Sequence, residues 1–203
     1  MTMTVPPPSM IVPVAAEGLT FAEFGRLFDH EGPFELIDGQ RIVKMPSFAI
    51  HGWVIRVIMR LLDQFVQNHQ LGEVFSEMTF AQTADGNWVK GSRIPDVMFF
   101  AADRWNAYLN ANPDWLNKPI LLIPDLVVEV LSENDLFSDV FAKVERDLQN
   151  GVQAVWLVDP KLRAVTVYSA GGQYTYYDIN AVLSGGALLP GLQISVKDLF
   201  SAL

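Results

Sequence analysis

Leu126-Val127-Val128-Glu129-Val130-Leu131 decides the fold: an apolar run with β-branched valine at three positions reads as a central, buried strand. Glu129 is its one charged residue. A carboxylate placed there is costly unless it is paired, protonated or bound to a metal. A structural salt bridge and a metal ligand are therefore the two readings of Glu129. Upstream, Ile94 to Ala101 reads as a neighbouring strand into which Pro95 and Asp96 intrude. Proline lacks a ladder donor and is tolerated at a strand start or edge, so Asp96 is expected just inside the strand where the sheet opens. Taken alone, Asp96 is equally an edge aspartate bonded to a backbone amide. Two strand carboxylates of this kind on neighbouring strands would suit the hard oxygen preference of Mg²⁺, with the Val130 carbonyl as a third ligand.

Downstream of the central strand, a helix over Leu136 to Gln149 is predicted, with Phe137, Val140, Phe141, Val144 and Leu148 on one face and Asn150-Gly151 as its stop. Ala154 to Val158 follows as a short buried strand closed by Asp159-Pro160. Ala164 to Tyr168 and Gln173 to Tyr177 form a hairpin across Gly171-Gly172, and Leu188 to Phe200 packs as a terminal element. In the other direction, Val74 to Gln82 reads as one strand, ended by Asp85-Gly86-Asn87, and Trp105 to Pro119 as an inserted helix and loop. From Ile50, the apolar positions Val54, Val57, Ile58, Leu61, Leu62 and Phe65 predict the longest helix, with Ser47 as its cap. Before it, Phe34 to Ile37 and Arg41 to Met45 flank the turn dipeptide Asp38-Gly39 as a β-hairpin. Thr20 and Glu23 form a capping-box pair for a first short helix, which Gly32-Pro33 ends. The proline-rich residues 1–18 are expected to be a flexible tail and 19–203 a single domain. This order of elements gives an α/β (α+β) fold, a mixed β-sheet flanked by helices with an N-terminal β-hairpin.

Composition limits the chemistry. Of 203 residues, half are hydrophobic, which supplies a substantial core, and none is cysteine. Disulfides and thiolate catalysis are excluded, so any metal site must use oxygen or histidine. The start carries neither the basic residues nor the apolar run of a signal peptide, and no apolar run reaches membrane-spanning length. A cytoplasmic protein without membrane contact is expected. The net charge of −9 opposes binding to nucleic acid by general electrostatic attraction, which needs excess Lys and Arg. His30, His51 and His69 show no zinc-binding spacing, and phosphate-loop, dinucleotide and nucleophile-elbow patterns are absent.

Several stretches together resemble a known family. They are Phe34-Glu35-Leu36-Ile37-Asp38-Gly39, Pro95-Asp96, Pro124 to Ser132, Gly151-Val152, Trp156-Leu157-Val158-Asp159-Pro160 and Leu189-Pro190-Gly191-Leu192. In order and spacing the chain from about Phe34 to Phe200 is similar to the Uma-type "putative restriction endonuclease" family, a bacterial group within the PD-(D/E)xK nuclease superfamily. The resemblance implies a restriction endonuclease-like fold, DNA as substrate and Mg²⁺ or Mn²⁺ as cofactor. It gives Asp96 the role of the aspartate in the PD motif and Glu129 that of the acid in (D/E)xK. Leu131 stands where the motif lysine belongs, and the resemblance moves that role to Lys143 in the following helix. By spacing alone, Lys143 is accounted for by helix ion pairs with Asp139 and Asp147. Glu35 resembles the family glutamate near the metal, although strand alternation leaves it free to face either side. Gln40 replaces a frequent family glutamate, and His51 matches a frequent histidine better explained by solvation or hydrogen bonding. Lys90, Arg93, Arg41 and Lys44 are candidates for a basic rim or for isolated surface charges.

The sequence thus leads to a metal-dependent DNA endonuclease. The alternative is a nuclease-like fold without catalysis that serves as a binding or dimerisation module. Tyr174, Tyr176 and Tyr177 are candidates for a homodimer interface or for one face of a hairpin.

Overall fold

The computed structural model describes residues 11–13, 18–44, 48–83, 88–133 and 135–201. In chain order the first elements are β1 (Ile11–Pro13), β2 (Leu19–Thr20), α1 (Phe21–Glu31), β3 (Phe34–Ile37), β4 (Gln40–Val43), α2 (Ala49–His69), β5 (Gly72–Ser76), β6 (Phe80–Thr83) and β7 (Trp88–Arg93). There follow β8 (Val97–Ala101), α3 (Ala102–Ala111), β9 (Leu126–Val130), α4 (Phe137–Gln149), β10 (Ala154–Asp159), β11 (Ala164–Ser169), β12 (Gln173–Tyr177), β13 (Val182–Ser184), β14 (Gln193–Ser195) and α5 (Val196–Leu199). They sort into two compact units: Met1–Pro46 with Thr79–Ile94 and Asp114–Leu122, and Ser47–Met78 with Pro95–Pro113 and Ile123–Leu203.

In the first unit, Thr20 opens α1 with a complete capping box, its hydroxyl accepting from Glu23 N–H while the Glu23 carboxylate accepts from Thr20. These hydrogen bonds, from the Thr20 hydroxyl first and then its backbone, hold the Glu23 carboxyl below its ordinary 4.5. The β3–β4 hairpin turns on Asp38 and Gly39, both at positive φ, which is the primed geometry a two-residue hairpin requires. The sheet runs β1-β4-β3-β7-β2, with β6 also paired to β7, and Phe24, Phe34 and Leu36 lie in its core. Ile11–Pro13 pairs with β4 at the sheet edge, where Pro13 is tolerated, so the expected tail over 1–18 contains a strand.

The second unit is built on the sheet β12-β11-β10-β9-β8-β5. Only β9 and β10 are parallel, joined through α4 as a βαβ crossover, and the other neighbours are antiparallel. One face of β9, Leu126, Val128 and Val130, joins the main core with α2 residues including Val54, Ile58 and Leu62. On the other face Val127 meets Val144 of α4. A mixed sheet with helices on both faces is the expected fold.

Two strand boundaries differ from expectation. Val74 to Gln82 is not one strand: β5 and β6 belong to different sheets, and the chain turns at Glu77, which has φ of 53°. Trp88–Arg93 is a strand, and its polar residues Lys90, Ser92 and Arg93 concealed it. The following strand therefore begins at Val97 instead of Ile94. Ser47 and Asp85-Gly86-Asn87 lie outside the described residues. On α4, Phe137 and Phe141 are exposed and stack on each other, so the expected apolar face buries only its C-terminal part.

Candidate active site

The antiparallel register of β8 and β9 sets Val97 opposite Val128. The ladder ends there: Asp96 precedes the first residue of β8, and Glu129 is the next residue of β9. Side chains alternate along a strand, so Glu129 shares the face of Val127, which α4 covers. Glu129 is half-buried, with its Oε1 sealed from solvent.

Asp96 is 3% exposed, just before the first residue of β8. Its Oδ2 accepts from the Val130 N–H at 2.7 Å. The same oxygen lies 3.2 Å from His51 Nε2 in the first turn of α2. A buried carboxylate needs such donors, and here the side chain serves the Val130 amide where the β8 ladder has stopped. His51, read from the sequence as a solvated or hydrogen-bonded residue, has Asp96 as a polar partner. Its signals were a place in the first turn of the helix after the hairpin and the match to a frequent family histidine.

Lys143 lies on α4 in the series Val140, Lys143, Val144, Asp147, whose spacing of three and four puts them on one side. Val144 and Asp147 are buried and Val140 and Lys143 half-buried, whereas Ser138, Asp139, Ala142 and Glu145 are exposed. Asp147 is 1% exposed, so it lies with half-buried Lys143 on the inward side of the helix. The β9-α4-β10 crossover brings that side back over the face of the sheet carrying Val127 and Val155.

Glu35 belongs to the first unit and is 2% exposed, facing inward. Its Oε1 accepts from the Ile94 N–H at 3.0 Å and lies 3.4 Å from Arg93 Nε. Lys44 Nζ donates to the Ile94 carbonyl. Arg41 pairs with Glu31 and lies over the Phe34 ring. Three of the four cations expected as a basic rim, Arg41, Lys44 and Arg93, thus serve internal partners of the first unit.

Among the described residues, no group of three or more His, Asp or Glu side chains is placed to hold a metal ion. No helix among them is long and apolar enough to cross a membrane.

A solved structure from Anabaena variabilis ATCC 29413, described as "a putative nuclease belonging to DUF820", is similar to this chain with a TM-score of 0.72 and 25% identity. The match covers 90% of this chain and 98% of that one. The protein is thus of the nuclease-like mixed α/β class. More particularly, residues 21–197 match the Uma2 family, described as "Putative restriction endonuclease", and the chain belongs to that family. No curated protein matches it.

Proposed function

We propose that the protein is a metal-dependent endonuclease that hydrolyses DNA phosphodiester bonds. The observation that supports this reading is the bond from Asp96 to the Val130 amide, one residue beyond Glu129, at the open end of β8 and β9 and within the residues matched by the family. Asp96, Glu129 and the Val130 carbonyl would hold Mg²⁺, or Mn²⁺ in its place, because all three offer hard oxygen donors to such an ion. A bound ion of this kind polarises a phosphoryl oxygen and lowers the pKa of an attacking water.

The remaining roles fall to the chain's own groups. His51 and the Val130 N–H orient Asp96. Lys143 orients the attacking water or offsets negative charge growing on the phosphoryl oxygens. Glu35, expected from the family resemblance near the metal, is assigned to fixing Ile94, since its Oε1 already serves that amide and faces Arg93. The water oxygen bonds to phosphorus, one phosphorus–oxygen ester bond breaks, and a proton ends on the departing sugar oxygen.

The absence of a three-acid cluster among the described residues favours a second reading, a nuclease-like module that binds without cutting. Titration calorimetry with Mg²⁺ and Mn²⁺, run beside a plasmid-nicking assay, separates the two. Metal binding and nicking that are both lost in Asp96→Ala, with melting temperature retained, are expected. Binding without nicking favours the second reading, and wild-type protein that does neither ends the first.

The proposed partner for the β12 edge is a second copy of the chain, in the intracellular setting where DNA is found. Edge strands usually carry charges or proline that deter pairing, and Gln173–Tyr177 has neither. Tyr174 and Tyr176 are exposed, and Phe141, Tyr168 and Tyr174 continue an aromatic row from Phe137. Burial, then the charge of Tyr174, raises the Tyr168 hydroxyl above 10.0. Antiparallel pairing centred on Thr175 would set Tyr174 opposite the partner's Tyr176. Light scattering should give a dimer for the wild type and a monomer for Thr175→Lys.

A further inference from the structure

A cavity of about 440 Å³ in the second unit has Gly52, Arg56, Arg60 and Asp63 of α2 on one side and Ser76 and Glu77 on the other. Both walls lead to Asp96. Gly52 follows His51, whose Nε2 is 3.2 Å from the Asp96 carboxylate. The Glu77 N–H points at the carbonyl oxygens of Pro95 and Asp96, at 3.2 and 3.3 Å.

Two features of this wall are not explained by ion pairing or by packing. Arg56 and Arg60 are exposed, one turn apart, and make no ion pair among the described residues, although Asp63 and Glu77 line the same cavity. Like charges at that spacing destabilise a helix. In contrast, Arg41, Arg93, Arg104 and Lys118 each meet a carboxylate. Gly52 weakens the first turn of α2 relative to alanine, yet apart from its chain neighbours and its own helix backbone no atom lies within 4 Å of where its Cβ would be. Packing does not demand a glycine there, and its effect is to widen the cavity beside His51. Trp53, 41% exposed, adds an aromatic plane with the Arg56 guanidinium 5.2 Å from the ring centroid.

We propose that this cavity is the track for a single DNA strand leading to Asp96. Arg56 and Arg60, about 6 Å apart along the helix axis, take neighbouring phosphates, and Trp53 with Arg56 stacks on an unpaired base. Basic residues along a groove combined with an aromatic platform are the arrangement that holds single strands. Two arginines in a chain of net charge −9 are too few to hold a duplex by neutralising phosphates. The identity of the polymer rests on the nuclease reading, and the cavity adds the form in which it is bound.

The test is fluorescence anisotropy of the full chain with a labelled single-stranded DNA oligonucleotide and its duplex, in EDTA, over a salt series. Single-strand binding tighter than duplex binding is expected. The double variant Arg56→Glu with Arg60→Glu should weaken single-strand binding about tenfold or more and reduce the slope of log K against log salt by about 1.4, the share of two phosphate contacts. Trp53→Ala should weaken binding roughly fivefold or more with the slope kept. These side chains are exposed, so melting temperatures should stay unchanged. Wild-type affinity and slope in the double variant, or tighter binding of the duplex, overturn the track. If metal-dependent nicking survives that result, the track alone is wrong; wild-type protein that neither binds nor nicks DNA removes the nuclease reading and the track with it.

Discussion

At its two ends, β9 meets buried aspartates in contrasting company. Asp125, just before the strand, is fully buried, and both of its oxygens are taken: Oδ2 accepts from Ala101 N–H at 2.9 Å, and Oδ1 from the Arg104 guanidinium at 2.7 Å and the Gln153 amide. Its backbone also joins the chain on both sides, from Phe99 to Gln153 and Ala154. At the far end, Asp96 Oδ2 accepts from the Val130 N–H and lies beside His51, and the residue before Val130 is a second acid, Glu129. Each aspartate follows a proline and each is buried, so neither dipeptide nor burial separates them. The difference is their neighbours. A carboxylate saturated by a cation, an amide and a backbone donor is a fastener, whereas two acids near one strand end concentrate negative charge that a cation can offset.

The largest effect expected from breaking this contrast is at the fastener. Asp125→Ala leaves Arg104 and the Ala101 amide without their acceptor and should cost about 3 to 5 kcal/mol in urea denaturation. A variant of wild-type stability that no longer nicks DNA would show that the two ends have been assigned the wrong way round. At the other end, Glu129→Gln should lower nicking about a thousandfold, corresponding to about 4 kcal/mol of transition-state stabilisation, while the midpoint of denaturation holds or rises. Lys143→Ala should reduce the nicking rate about a hundredfold with metal affinity little changed; an unchanged rate would return Lys143 to a structural role.

The smallest effect lies away from both ends and serves as a control. Thr20→Ala removes the capping box and should cost about 1 kcal/mol of stability without altering nicking. Because the folded-state pKa of Glu23 is depressed, its contribution is present above pH 4.5 and is lost as pH falls through the lower folded value. The stability difference between wild type and Thr20→Ala should therefore shrink in acid. A difference that is constant across that range would contradict the capping-box account.

The sequence was most legible where local chemistry is strong. Asp38-Gly39, the Thr20–Glu23 pair and the apolar run of β9 each point to one local structure, and the chain forms it. It was least legible where tertiary contacts override pattern. Trp88–Arg93 is a strand although half its residues are polar, because it lies between partners on both sides. Glu77 splits an apparently continuous strand through a positive φ that no residue type there announces.

The sequence by itself marked Asp96 near a strand start and Glu129 within a strand, because an acid in an apolar run is a local anomaly visible at once. It could not determine that Asp96 would bond the amide next to Glu129, since pairing between strands depends on residues distant in the chain. Only the tertiary structure set His51 against Asp96, gave Asp125 its partners and put Lys143 on the inward side of α4. Each of those relations joins elements far apart in sequence, and spacing along a single element carries no record of what another element will bring to it.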